Sequence, residues 1–174
     1  MSTDEKRWLL WFLPVFTLTC ACHHSDLEGD AVLLDGASDE VLVSLQDSVA
    51  RGEVTVDDDR TAHLVTPADG AQLSLDAPPE FAWEPPAVNF VHGRATGDFT
   101  WLRIRCGDMV PIDVLGIETR SWTPDSEHWD KIGAAGQTCS STLTSAFVDR
   151  GIIMEGGPFQ PAMAPTFSVL AGPQ

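Results

Sequence analysis

Four cysteines are the residues of this 174-residue chain whose chemistry depends most on where the protein resides. Cys20 and Cys22 stand near the N-terminus, and Cys106 and Cys139 are 33 positions apart in the second half. In an exported protein such a distant pair is usually bridged, and a bridge between neighbouring strands would stabilise the fold by about 3–4 kcal/mol. Two buried free thiols are the alternative, because cysteine also packs well in cores. Two thiols without a nearby pair of histidines do not predict a zinc site.

The remaining polar residues form no recognisable catalytic motif. The sequence lacks a Gly-x-Ser-x-Gly elbow, a His-Glu-x-x-His pair, a phosphate-binding Gly-x-x-x-x-Gly-Lys loop and a dinucleotide-binding fingerprint. His63, His92 and His128 are scattered singly, and Glu127 and Asp130 are better explained as charges that favour a helix. We therefore predict no catalytic residue, no metal site and no cofactor.

One short stretch has the composition of a contact surface. Trp101, Arg103 and Arg105 alternate along a stretch with strand character, so they share one face. Aromatic and arginine side chains are enriched at binding surfaces, which makes these three residues candidate binding residues. The alternative is that the acidic segment before residue 64, or the Gly- and Pro-rich segment 149–165, covers this face and pairs with the arginines.

The N-terminus has the layout of a secretion signal. Lys6 and Arg7 precede a largely apolar run over residues 8–18, which is followed by Thr19-Cys20-Ala21-Cys22. Such a run is about 16 Å long as a helix, whereas a bilayer core requires roughly 20 apolar residues. A permanent membrane span is therefore the weaker interpretation, and we assign residues 1–22 to a signal peptide.

The end of this signal resembles the lipobox of bacterial lipoproteins, in which a small residue precedes a cysteine that is diacylated and becomes the mature N-terminus. Cys22 follows Ala21 and fits that position better than Cys20 does, although Thr19 stands where the motif prefers leucine. The resemblance implies lipidation at Cys22, or alternatively at Cys20. It also implies an exported protein anchored in the bacterial cell envelope, at the outer membrane or the periplasmic face. The alternative is an ordinary signal peptide cut near Ala21.

Charge divides the rest of the chain into two regions. The whole chain has ten basic and twenty-six acidic side chains, a formal charge of −16. This charge argues against a nucleic-acid binder, which needs a basic face. Residues 23–60 alone hold eleven acids and two bases, so we expect residues 23–63 to form an acidic linker that charge repulsion keeps extended.

A short helix is expected within this linker. Ser38 is a suitable N-cap, and Gly52 follows the expected end of the helix. The alternation of Val41, Val43 and Leu45 suits a strand equally well, and the pattern leaves both alternatives open.

From residue 64 onward, short apolar runs are separated by Pro, Gly and Asp. This pattern is typical of an all-β sandwich of about 100 residues, and we assign residues 64–172 to one antiparallel domain. Residues 99–106 form its strongest expected strand. Residues 123–133 predict one small helix, with Thr123 as its cap and with Trp129 and Ile132 against the edge of the sandwich.

Three short motifs in this domain resemble strands of bacterial fibronectin type III or immunoglobulin-like modules. They are Thr66-Pro67-Ala68-Asp69-Gly70, Pro79-Glu80-Phe81-Ala82-Trp83 and the terminal Phe167-Ser168-Val169. In those modules proline and glycine open the first strand, and the tryptophan of the second strand fills the core. The chain contains no tyrosine, so it lacks the buried tyrosine that often braces such sandwiches. The resemblance implies a fold and hardly any function, because this scaffold hosts many unrelated roles.

The expected function follows from the signal and the fold class. We expect a non-catalytic binding or structural module of the envelope, attached to the membrane through its N-terminal lipid, that contacts another envelope protein or a glycan. The alternative is an unrecognised envelope hydrolase or an accessory subunit of one. A cavity lined by converging histidine and carboxylate side chains would favour that alternative.

Overall fold

A computed structural model describes residues 29–87, 98–136, 138–154 and 156–170. The signal region with Cys20 and Cys22 lies outside these described residues, as does His92. Within the described ranges the chain is mostly β. Its elements, in chain order, are β1 (Asp30–Leu33), α1 (Asp39–Ala50), β2 (Thr55–Val56), β3 (His63–Thr66), β4 (Ala71–Ser74), β5 (Phe81–Glu84), β6 (Asp98–Cys106), β7 (Ile112–Ile117), β8 (Ser121–Trp122), α2 (Ser126–Ala134), β9 (Thr138–Asp149), β10 (Ile152–Ile153), β11 (Phe159–Gln160) and β12 (Thr166–Leu170). Neither helix is long and apolar enough to cross a bilayer.

The strands form one large sheet and one small sheet. In the large sheet β1, β7, β6 and β9 lie side by side, and the other edge of β9 pairs with β12, β11 and β10 at successive positions. The small sheet has the order β3-β5-β8. Most pairs are antiparallel, but β1 with β7, β2 with β11 and β4 with β12 are parallel. The expectation of a purely antiparallel sandwich is therefore corrected to a mixed architecture.

The molecule has two apolar cores, one on each face of the large sheet, because alternate side chains of β6 point to opposite faces. On one face Leu102 and Ile104 pack with Phe81 and Trp83 of the small sheet and with Ile132 of α2. The Phe81 ring lies 5.5 Å from the Phe167 ring of β12, in an edge-to-face contact between the sheets. The small sheet and α2 thus cover one face of the large sheet.

Helix α1 covers the opposite face. Its buried residues Leu42 and Leu45 pack against Phe99 and Trp101 of β6 and Leu115 of β7. The helix that the sequence suggested is confirmed, since Ser38 stands at the N-cap and the helix ends before Gly52. The strand alternative is wrong. As a helix, the segment places its apolar residues on one side, and that side packs against the face of the large sheet that the small sheet does not cover.

Residues 29–63 are consequently part of the folded body, where the sequence suggested a linker. Strand β1 extends the sheet beside β7, and β2 extends it beside β11. The high acid content of this segment does not prevent folding, because Val41, Leu42 and Leu45 pack against the sheet while Asp39 and Glu40 are exposed. The folded unit therefore includes residues 29–63, while the sequence placed its start at residue 64.

Candidate functional site

Asp113 of β7 is the centre of a buried polar cluster formed with Gln46, Trp101 and Arg103. Its Oδ1 accepts hydrogen bonds from Trp101 Nε1 at 2.8 Å and from Arg103 Nε at 2.7 Å. Its Oδ2 accepts from Arg103 Nη2 at 2.9 Å and from Gln46 Nε2 of α1 at 2.8 Å. The guanidinium also lies 4.8 Å from the centroid of the Trp101 ring. The buried carboxylate is thus neutralised, and it fastens α1 to the sheet.

The predicted binding patch coincides with this cluster. Trp101 is 1% exposed and Arg103 is 9% exposed, because α1 packs over their face of β6. Arg105, two residues further along β6, is exposed. The face is therefore not open to solvent at Trp101 and Arg103. The structure agrees with the alternative that the acidic segment before residue 64 covers it, since α1 lies in that segment. The arginine does pair with a carboxylate of a neighbouring element, but that carboxylate belongs to β7.

Cys106 and Cys139 form a disulfide, which confirms the predicted pairing. They are directly opposite each other on the antiparallel strands β6 and β9, with their Cα atoms 4.2 Å apart. Both side chains are buried. The bridge closes the end of the sheet at which β6 turns into β7.

A cavity of about 740 Å³ lies at this end of the molecule, and we call it the end cavity. Three elements supply its walls: the start of β1, the turn between β6 and β7, and the last turn of α2. Cys106 contributes to the lining, so the disulfide lies beside the cavity. Met109, Val110, Ala134 and Ala135 provide apolar walls. An apolar concave surface with few polar groups is the usual form of a ligand site.

Three charged residues line the end cavity, and two of them neutralise each other. Lys131 donates a hydrogen bond to Asp30 Oδ2, and its Nζ also lies 3.0 Å from Glu127 Oε1 on α2. The contact lowers the pKa of the Asp30 carboxyl and raises the pKa of Lys131, because each charge is stabilised by the other. Asp108 makes no ion pair or hydrogen bond with the described parts of the chain. Its side chain is exposed at the cavity, and no described residue neutralises it.

His128 lies next to this site, between two carboxylates. Its Nδ1 is 2.8 Å from Asp125 Oδ1, and its Nε2 is 3.7 Å from Asp30 Oδ2. The Asp125 side chain also accepts the backbone N–H of His128 at 2.9 Å, so Asp125 is the N-cap of α2 in place of the expected Thr123. Both ring nitrogens face carboxylates, and no serine, threonine or cysteine of the described ranges contacts them. The arrangement connects β1 to α2.

Sequence reasoning did not find the end cavity. Asp30, Asp108 and Lys131 are distant in the chain, and each has an ordinary local explanation in a linker, a turn and a helix end. Only the parallel pairing of β1 with β7 brings Asp30 beside α2. The sole local signal is the Gly107-Asp108 turn, which places a carboxylate at the end of the strongest strand.

Comparison with known proteins adds no assignment. No protein-family model matches the chain, and no curated protein or solved structure gives a match. Among the described residues, no group of three or more metal-ligating side chains is suitably placed for a metal ion. The functional inference therefore depends on the geometry of this chain alone.

Proposed function

We propose that this protein is an exported, lipid-anchored module of the bacterial cell envelope that binds a ligand in the end cavity without catalysing a reaction. We further propose that its sandwich is of the fibronectin type III or immunoglobulin-like kind. The division of the strands between the two sheets is the observation that supports the proposed type of sandwich.

The small sheet contains β3, β5 and β8, and the strands β7, β6, β9 and β12 lie side by side in the large sheet. With β4 and the short strands β10 and β11 left aside, lettering from β3 in chain order gives A-B-E (β3, β5, β8) and C′-C-F-G (β7, β6, β9, β12). This division resembles that of immunoglobulin-type sandwiches. The disulfide connects neighbouring strands of one sheet, whereas antibody domains connect their two sheets. This difference favours a fibronectin-like module over an antibody-like one.

The position of the cavity supports a binding role. Loops of such sandwiches cluster at the two ends of the sheets, and binding residues are concentrated on loops held by a rigid scaffold. Here the β6–β7 turn and the end of α2 form the walls, and the disulfide holds the underlying strands together. The apolar walls and the carboxylate of Asp108, which pairs with no described residue, suit a ligand that combines a small apolar part with a positively charged group.

The disulfide and the N-terminal motif support export and anchoring. Disulfides persist in oxidising compartments outside the cytoplasm. The intact mass of the protein from the membrane fraction of a bacterial host tests the anchor. We expect a diacylglyceryl adduct on a chain that begins at Cys22, lost in Cys22→Ser and retained in Cys20→Ser. An unmodified chain that retains residues 1–22 would refute both export and anchoring.

A pair of matched small probes tests the cavity. Hexylammonium and hexanoate have the same apolar chain and opposite charges. We expect millimolar hexylammonium to shift the amide NMR signals of Val110 and Ala134, whereas hexanoate should shift them far less. Asp108→Asn should weaken the hexylammonium effect severalfold. Asp59→Asn, which removes an exposed carboxylate elsewhere, should leave it unchanged. Equal shifts with both probes, or none with either, would contradict the proposed ligand class.

A further inference from the structure

Gly29 and Asp30, the first two residues that the structure describes, lie in close contact with the sheet. The Asp30 backbone N–H donates to the Pro111 carbonyl at 2.8 Å, and the Asp30 side chain pairs with Lys131. A side chain at Gly29 would have its Cβ 2.7 Å from Asp113 Oδ2 and 2.9 Å from the Pro111 carbonyl oxygen. Gly29 therefore lies at the same end of the sheet as the end cavity, and we call this residue the entry point.

The distance from this entry point to a lipid on Cys22 is limited by covalent geometry. Seven residue steps separate Cys22 from Gly29. A fully extended chain advances at most about 3.6 Å per residue, so the entry point lies within about 25 Å of the anchored residue. Anchoring at Cys20 would raise this limit to about 32 Å.

The opposite end of the sheet lies farther from the entry point than the maximum length of the segment between Cys22 and Gly29. Ile152 pairs with Asp149, and Cys139 pairs with Cys106 at the cavity end. Ten steps along β9 separate Cys139 from Asp149, which corresponds to about 34 Å at 3.4 Å per residue. A tether of about 25 Å is shorter than this length, so it excludes orientations in which the sheet stands upright on the bilayer with the Ile152 end down.

We propose that the end of the molecule that carries the end cavity faces the bilayer surface. This inference rests on the proposed lipidation of Cys22. The surface that meets the lipid contains the turn Met109-Val110-Pro111, in which Val110 is 65% exposed. The cavity is then filled from the membrane side, and the β9–β10 turn at the opposite end points away from the membrane.

Energy transfer to the membrane surface tests this orientation. The lipidated protein is placed in phosphatidylethanolamine/phosphatidylglycerol vesicles that carry an acceptor-labelled lipid. A donor is attached to Val110→Cys or to Ile152→Cys, two positions that are 65% and 64% exposed at opposite ends. We expect clearly higher transfer from position 110. Ala134→Cys, an exposed position on another wall of the cavity, should agree with position 110.

Equal transfer from the two ends, or higher transfer from position 152, would overturn the inference. The mass of the same samples separates the two proposals. A protein without a lipid adduct refutes the anchor and the orientation with it, whereas equal transfer from a lipidated protein refutes the orientation alone. An insertion of twenty Gly and Ser residues between Glu28 and Gly29 provides the control. It adds about 25 Å of flexible reach, so the two efficiencies should approach each other if the short tether sets the orientation.

Discussion

Asp113 is the residue that best explains why two candidate binding residues are buried. It accepts four hydrogen bonds from Gln46, Trp101 and Arg103. A buried carboxylate is costly unless its oxygens are hydrogen-bonded and its charge is neutralised. Both conditions are met here, and the arginine and the indole are therefore satisfied inside the molecule. Their types are those of a contact surface, and their partners make them part of the core.

Two substitutions at Trp101 separate packing from hydrogen bonding. Trp101→Ala removes a fully buried ring, and we expect a loss of about 3–5 kcal/mol in the free energy of unfolding. Trp101→Phe keeps a ring but leaves Asp113 with one donor fewer, and we expect a loss of about 1 kcal/mol. Urea denaturation measures both. Arg105→Ala on the same strand is the exposed control, with an expected change within about 0.5 kcal/mol. A Trp101→Ala protein as stable as the wild type would show that the face is open.

The ion pair of Asp30 predicts a loss of stability in acid. The hydrogen bond from Lys131 lowers the pKa of Asp30, and backbone N–H groups of Thr166 and His128 lower those of Asp69 and Asp125. A lowered folded-state pKa stabilises the protein above the ordinary value, and this stabilisation is lost as the pH falls through the folded-state pKa. Thermal unfolding between pH 6 and pH 3 should therefore show a decreasing melting temperature.

Asp30→Asn isolates one contribution to this decrease. The variant should melt below the wild type at pH 6, and the two melting temperatures should converge towards pH 3, where Asp30 is increasingly protonated. The effect is expected to be modest, because both side chains of the pair are partly exposed. Asp59→Asn should follow the wild type throughout. A constant offset at all pH values would mean that the substitution acts through packing and not through charge.

At the scale of elements, α1 covers one apolar face of the large sheet. The sheet has an apolar face built from Phe99, Trp101 and Leu115, which would otherwise meet water. Burying that face against the helix removes apolar surface from solvent, at roughly 25 cal/mol for each Å². The helix therefore belongs to the domain, and a fragment that begins at residue 64 would expose this face.

Matched leucine substitutions test this role of α1. Leu45 of α1 is fully buried between the helix and the sheet. We expect Leu45→Ala to lower the free energy of unfolding by about 2–5 kcal/mol, in a single cooperative transition. Leu33→Ala on the edge strand β1 removes the same atoms from a side chain that is 37% exposed, and it should cost clearly less. Equal, small effects of the two substitutions would mean that α1 does not contribute to the stable unit.

At the scale of the whole molecule, the disulfide limits the freedom of the unfolded chain. It closes a loop of 33 residues that contains β7, β8 and α2. In the chain-entropy model such a loop is worth about 3–4 kcal/mol. We expect the double variant Cys106→Ala/Cys139→Ala to lose stability of this order, measured by urea denaturation in the absence of reductant. The native protein should resist reduction until it is unfolded, because both sulfurs are buried. Rapid loss of the bridge in the folded protein would contradict this arrangement.

The sequence predicted much of the fold and little of the site. Phe81 with Trp83, and Leu102 with Ile104, signalled their strands because alternation is a local property of the chain. The thiols of Cys106 and Cys139 indicated their pairing because few alternatives existed. The end cavity was missed because its walls come from segments separated by up to about a hundred positions, and no local pattern reports such a distance.

The sequence alone predicted the β-rich character of residues 64–170 and the disulfide partners, and it favoured a helix after Ser38 without excluding a strand. These follow from periodicity, capping and composition, which act between near neighbours. The tertiary structure decided that Trp101 and Arg103 are buried, that residues 29–63 complete the large sheet and that Asp108 faces a cavity. These three features depend on how distant elements pack against one another. Burial is a property of two surfaces in contact, and a single strand's pattern describes only one of them.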